Sequence, residues 1–256
     1  MNVMVGAVLK AGKGLKRDFG ELENLQVLSK GPGDFVSIAD KRAERILHQE
    51  LEKARPGYGF VMEEGGIVEG SDTTHRWHID PLDGTTNFLH GVPFFSVSVG
   101  LERDGVLVAG VIYNPATEDL FFAERGKGAF HNDRRIRVSG RRAIEEALVC
   151  CGVMHVGRGN HPTNLADLRA VMAKAAGVRH MGSIALELAY VAAGRFDGLV
   201  ERWLASWDVA AGIVLVREAG GFVTDGRNHD SMLSSGEVVA GNEWIHAGLL
   251  DALRTA

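Results

Sequence analysis

Two aspartates, Asp80 and Asp83, stand three apart in the segment WHIDPLDGTTNFLH, with Ile79 and Leu82 beside them. Carboxylates among apolar neighbours need partners, because an unpaired buried charge is costly. Pro81 stiffens the chain and Gly84 permits a tight backbone, so the segment reads as a loop between a strand and a short helical turn. On such a loop both carboxylates can face one point. A hard divalent cation is the simplest partner there, since Mg²⁺ binds carboxylate and carbonyl oxygens and keeps waters for chemistry. The N–H groups of Gly84 and Thr85, opening the turn, suit a phosphate. An Asx-type turn, in which the aspartates only cap backbone N–H groups, accounts for the same residues. A nucleophilic aspartate of the D-x-D-G-T kind fits less well, because the spacing here is D-x-x-D-G-T. An EF-hand is excluded by the missing alternation of ligands.

Two other acidic places matter. Glu63 and Glu64 end the apolar run FVM just before glycines, and Asp208 sits in the first turn of the apolar segment SWDVAAG. Taken singly, the first is a solvated pair after a strand and the second a residue favoured by the helix dipole.

The elements that must carry these residues follow from periodicity. Val5, Val8, Leu9, Leu15 and Phe19 give residues 2–19 a helical face, and Ala43, Ile46, Leu47 and Leu51 do the same for 38–54. Between them, two short strands flank the turn Gly31-Pro32-Gly33. Residues 58–131 are β-rich, with a hairpin signal at Asp104-Gly105, and predict a largely antiparallel sheet. From 144 onward strands and helices alternate, ending in a helix over 243–254. The chain therefore reads as one domain over 1–256, with an N-terminal α+β half (about 1–142) and a C-terminal α/β half (about 143–256).

Composition is that of an ordinary globular protein: 256 residues, 45% hydrophobic, 24% charged, net charge −5. The absence of a basic excess argues against direct nucleic-acid binding or an anionic membrane surface. Cys150 and Cys151 are adjacent and are the only cysteines, so they read as small strand hydrophobes in a reducing compartment. The N-terminal segment reads as an amphipathic helix rather than a signal peptide, and no stretch approaches the ~20 apolar residues of a membrane span. A cytoplasmic protein is expected. The histidines lack metal-ligand spacing.

Taken together, the acidic segments carry a resemblance. The order is S-I-A-D, an E-E pair, D-P-L-D-G-T-T-N-F, G-S-I-A-L-E-L-A at 182–189, and W-D-x-A-A-G about 125 residues after the aspartate loop. In order and spacing, from AGKGLKRDFG to VAGNEWIHAGLL, the sequence resembles the inositol monophosphatase family. That resemblance implies an α/β (α+β) fold, the layered αβαβα sandwich of the inositol monophosphatase and fructose-1,6-bisphosphatase type, usually a homodimer. It implies two or three Mg²⁺ ions. Glu63, Asp80 and the carbonyl of Leu82 would hold one; Asp80, Asp83 and Asp208 a second; and Glu63 the waters of a third. Asp40 and Thr85 would orient the attacking water with Glu63 beside it, and Gly84 and Thr85 would hold the phosphate. Gly182, Ser183, Glu201 and Asp208 would meet the substrate.

The implied activity is hydrolysis of inositol 1-phosphate or a similar polyol phosphate. Relatives on this scaffold act on fructose 1,6-bisphosphate, 3′-phosphoadenosine 5′-phosphate or histidinol phosphate. The nucleotide branch usually reads D-G-T-K, whereas this chain has Asp83-Gly84-Thr85-Thr86. Ile184 stands where the animal enzymes have alanine. The resemblance also implies sensitivity to Li⁺. A different role is open as well, since some bacterial members act on RNA polymerase complexes independently of catalysis.

Overall fold

The computed structural model describes residues 1–21, 27–31, 34–153 and 159–254. Two amphipathic segments become helices α1 (Asn2–Phe19) and α2 (Ile38–Ala54), at the bounds their periodicity predicts. The antiparallel ribbon β1 (Val27–Gly31) and β2 (Asp34–Ser37) lies between them. The turn expected at Gly31-Pro32-Gly33 falls partly outside the described residues.

The helices bury Met4, Val8, Leu15, Leu47 and Leu51 against one face of an eight-stranded sheet. Its strands are β3 (Tyr58–Met62), β4 (Gly66–Val68), β5 (Asp72–Asp83), β6 (Ser96–Arg103), β7 (Val106–Asn114), β8 (Asp119–Glu124), β9 (Gly128–His131) and β10 (Arg134–Ile136). They run in the order β10-β9-β8-β7-β6-β5-β3-β4. Every neighbouring pair is antiparallel except β3 with β5. The β6–β7 hairpin turns at Asp104 and Gly105, both at positive φ, as a two-residue turn of this sequence requires. The short helix α3 (Thr85–Leu89) leaves the end of β5.

The C-terminal half alternates as its sequence predicts: β11 (Leu148–Cys151), α4 (His161–Met172), β12 (Gly177–Arg179), α5 (Ile184–Ala192), β13 (Gly198–Glu201), α6 (Ser206–Glu218), β14 (Phe222–Thr224), α7 (Met232–Ser235), β15 (Val238–Gly241) and α8 (Glu243–Arg254). Helix α7 has no signal in the periodicity of the sequence. The second sheet has the order β12-β11-β13-β15-β14. Helices α5 and α6 are filled from both sides, and their apolar side chains join the two sheets in one core. A third cluster covers the far face of the second sheet with α8 and part of α4. The layers are thus helix, sheet, helix, sheet, helix. Cys150 and Cys151 are buried, unpaired thiols on β11, and burial pushes Cys151 up to about 12. Among the described residues no helix is long and apolar enough to cross a membrane.

One contact fixes how close the middle layer comes. Gly100 of β6 and Gly110 of β7 are paired in register. A Cβ on Gly100 would lie 2.6 Å from Ala210 Cβ, and one on Gly110 would lie 2.5 Å from the Ala211 carbonyl oxygen. The glycines let α6 rest directly on the sheet backbone. Gly110→Ala is expected to destabilise by about 1–3 kcal/mol, the usual cost of overpacking a filled core. A urea midpoint unchanged from wild type would contradict this packing.

Candidate active site

The expected loop at Asp80–Asp83 is instead the end of strand β5. Asp80 pairs with Ser98 and Asp83 with Ser96, so three steps on β5 are matched by two on β6. The extra residue is a β-bulge. Side chains alternate along a strand, so residues three apart would face opposite ways; the bulge returns Asp83 to the face of Asp80. Gly84 follows at φ 92°, where a Cβ would come within 3.1 Å of the Gly182 and Phe94 carbonyl oxygens.

Each carboxylate is anchored by backbone or hydroxyl donors. Leu82 N–H donates to Asp80 Oδ1 at 3.0 Å. Asp83 receives the Ser183 hydroxyl at 2.6 Å and the N–H groups of Ala185 at 2.7 Å and Ile184 at 3.3 Å. It thereby caps α5, whose own N-cap Ser183 makes no side-chain cap. Asp208, in the first turn of α6, accepts Ala205 N–H at 2.7 Å. Glu63 follows β3, its N–H bonded to Ile79 O at 3.3 Å. The next N–H, of Glu64, is held at 2.8 Å by buried Glu44 of α2.

Asp80 is driven well above its ordinary pKa, first by burial and then by the charges of Glu63, Asp83 and Asp208. Asp83 is raised to about 7, again chiefly by burial, against the pull of its hydrogen bonds. Carboxylates and a backbone carbonyl are all-oxygen donors, the chemistry that suits a hard divalent cation. Ser98, opposite Asp80 in register, has a buried hydroxyl without a hydrogen-bond partner among the described residues, as a site made to hold a further group would leave it.

Asp40 is buried in the first turn of α2. Thr85 Oγ1 is 3.2 Å from Asp40 Oδ1 and 3.0 Å from the Leu82 carbonyl oxygen. Gly84 touches the turn at Gly182, itself at φ 81°. Asn87 clamps that turn, its amide donating to the carbonyls of Phe94 and Met181, both at 2.7 Å.

Glu201, at the end of β13, is buried, and a Cβ on Gly152 would run into its carboxylate. It is grouped with two residues outside the sequence-derived set. His180, Glu187 and Glu201 bring one ligand atom each within 4.8 Å of one another. Sequence spacing gave His180 no such role, because the grouping is spatial. Glu187 had a signal, as a lone acid in an otherwise apolar helix. Its Oε1 accepts Met181 N–H at 2.5 Å and Gly182 N–H at 3.2 Å.

The profile of the Inositol monophosphatase family matches residues 1–256. The inositol-1-monophosphatase of Mesorhizobium japonicum is 61% identical over 254 residues, covering 99% of this chain and 96% of that protein. The Nus factor SuhB of Pseudomonas aeruginosa is 41% identical over 260 residues, covering 99% and 95%. The crystal structure of the extragenic suppressor protein suhB from Bartonella henselae superposes with a TM-score of 0.96 at 55% identity, covering 100% of this chain and 98% of that one.

Burial raises Glu187 from its ordinary 4.5 to about 7. A carboxyl raised by folding favours the folded state fully below pH 4.5, and that contribution is lost as pH rises through about 7. In metal-free protein, Glu187→Gln should therefore be more stable than wild type at pH 8, by on the order of 3 kcal/mol. The difference should shrink towards pH 4.5, as urea titrations at the two pH values would reveal.

Proposed function

The chain belongs to the inositol monophosphatase family of phosphoric monoester hydrolases, and on that premise we propose that it is a Mg²⁺-dependent phosphatase of inositol 1-phosphate or a similar polyol phosphate. The observation that carries this reading is the bulge at the end of β5, which sets Asp83 on the same face of the sheet as buried Asp80. Such a pair is stable when cations share it.

Glu63, Asp80 and the Leu82 carbonyl would hold one Mg²⁺; Asp80, Asp83 and Asp208 a second; and Glu63 the waters of a third. When bound, the cations supply positive charge to the phosphoryl and ester oxygens and acidity to water. Asp40 accepts a hydrogen bond from the attacking water and, with the Thr85 hydroxyl 3.2 Å away, aims it at phosphorus. Glu63 adds its charge beside that water. The N–H groups of Gly84 and Thr85 bind phosphate oxygens. As the new P–O bond forms, the ester P–O bond breaks. The attacking water keeps its oxygen on phosphorus and gives up one proton, and the departing alkoxide takes one up from water to leave as the alcohol. Gly182, Ser183, Glu201 and Asp208 border that alcohol. The hydroxyl of Ser183 is committed to Asp83, so its contribution is to hold the turn. Fructose 1,6-bisphosphate, 3′-phosphoadenosine 5′-phosphate and histidinol phosphate are the competing substrates for the same chemistry. A homodimer, Li⁺ sensitivity and a cytoplasmic site of action complete the proposal.

The Nus-factor relative supports a second, regulatory reading, in which the chain also joins RNA polymerase complexes. A pull-down of the polymerase by wild type and by Asp83→Asn separates the two, since binding independent of catalysis survives the substitution.

Phosphatase activity should vanish with a chelator and return with Mg²⁺. Asp83→Asn should lower kcat at least about 10²-fold, the scale of losing one preorganised charge-stabilising group; a fully active variant would end the metal reading.

Glu201→Gln addresses the substrate. It should cost inositol 1-phosphate ~1.5–3 kcal/mol more in kcat/KM than 2-glycerophosphate, the worth of one charge-assisted hydrogen bond. Equal losses for both substrates would mean that Glu201 supports the metal site instead.

A further inference from the structure

His78 lies two residues before Asp80 on β5, on the same face of the sheet. It is paired with Gly100, the glycine that rests against Ala210 of α6. The histidine is only 3% exposed, yet both ring nitrogens are engaged. Nε2 is 2.8 Å from Glu102 Oε2 and Nδ1 is 2.9 Å from Ser206 Oγ. An ionised carboxylate can only accept, so Nε2 donates to Glu102, which leaves Nδ1 to meet the Ser206 hydroxyl.

Ser206 is the first residue of α6 and Asp208 the third. The chain Glu102–His78–Ser206 therefore crosses from the sheet to the helix beside the strand end that carries Asp80 and Asp83. The neighbouring contact of α6 with the sheet is between glycines and alanines. Such packing sets the distance between the layers, but dispersion has no direction, and small side chains offer few knobs against sliding or rotation of the helix. A hydrogen bond has both length and direction.

We propose that His78 is a positioning residue: by pinning Ser206 it sets where Asp208 stands relative to Asp80 and Asp83, and so tunes the cation site they share. The inference rests on the metal-site reading above.

The test is Mn²⁺ binding to metal-free protein by calorimetry, alongside the Mg²⁺ concentration giving half-maximal phosphatase activity. His78→Leu and Ser206→Ala should each weaken Mn²⁺ binding about tenfold, at the lower end of what removing support behind a ligand costs. His78→Asn, whose amide oxygen can stand in for Nδ1, should recover most of that loss, and His78→Gln, whose amide reaches towards Glu102, should recover less. A lower melting temperature in His78→Leu would follow from lost packing alone, so stability is not the readout. Wild-type Mn²⁺ affinity in both His78→Leu and Ser206→Ala would overturn the proposal, as would His78→Asn binding as weakly as His78→Leu. If His78→Leu does not fold, Ser206→Ala decides. Wild-type protein that binds no Mn²⁺ would instead bring down the metal-site reading, and this inference with it.

Discussion

Mutual repulsion among Glu63, Asp80, Asp83 and Asp208 sets the terms for everything around them. Like charges brought together away from water are held only by a scaffold that cannot relax, or by cations between them. The scaffold here is backbone. The Leu82 N–H holds Asp80, the N–H groups at the start of α5 hold Asp83, and the Ala205 N–H holds Asp208. Buried Glu44 holds the residue after Glu63. The supports come from separate elements, so the carboxylates come near one another only when the layers are assembled.

The closeness of the layers is part of that arrangement. Gly100 and Gly110 lower α6 onto the sheet, which brings Asp208 within electrostatic reach of Asp80. Asp83 ties the other central helix to the same strand end by capping α5. The turn at Gly182 is held from both sides, by Asn87 near the aspartates and by Glu187 within α5. In the proposed reading, the residues assigned to the phosphate and those assigned to the alcohol therefore share supports. In the proposed reaction, binding energy from the alcohol would serve to place the ester for attack.

Much of this was legible along the chain. Periodicity placed α1, α2 and the alternating C-terminal elements, because a helix or strand buries its apolar face at a spacing fixed by its own backbone geometry. The acidic segments pointed to oxygen-ligated metal chemistry because carboxylates in apolar surroundings need a counter-charge. The bulge was not legible. Pro81 and Gly84 look the same in a loop as at the end of a strand, and the difference lies in the pairing of β5 with β6.

The sequence by itself determined most of the elements and the residue types of the site, since each depends on neighbours within a few turns or strand steps; the layered class was implied by the family resemblance. Tertiary structure decided which face Asp83 takes, that α5 is capped by an aspartate from another element, and that His180, Glu187 and Glu201 gather. It also decided that His78 meets a serine 128 positions away. Those outcomes depend on hydrogen-bond register and on how closely layers approach, and both are set by packing between segments that sequence spacing does not relate.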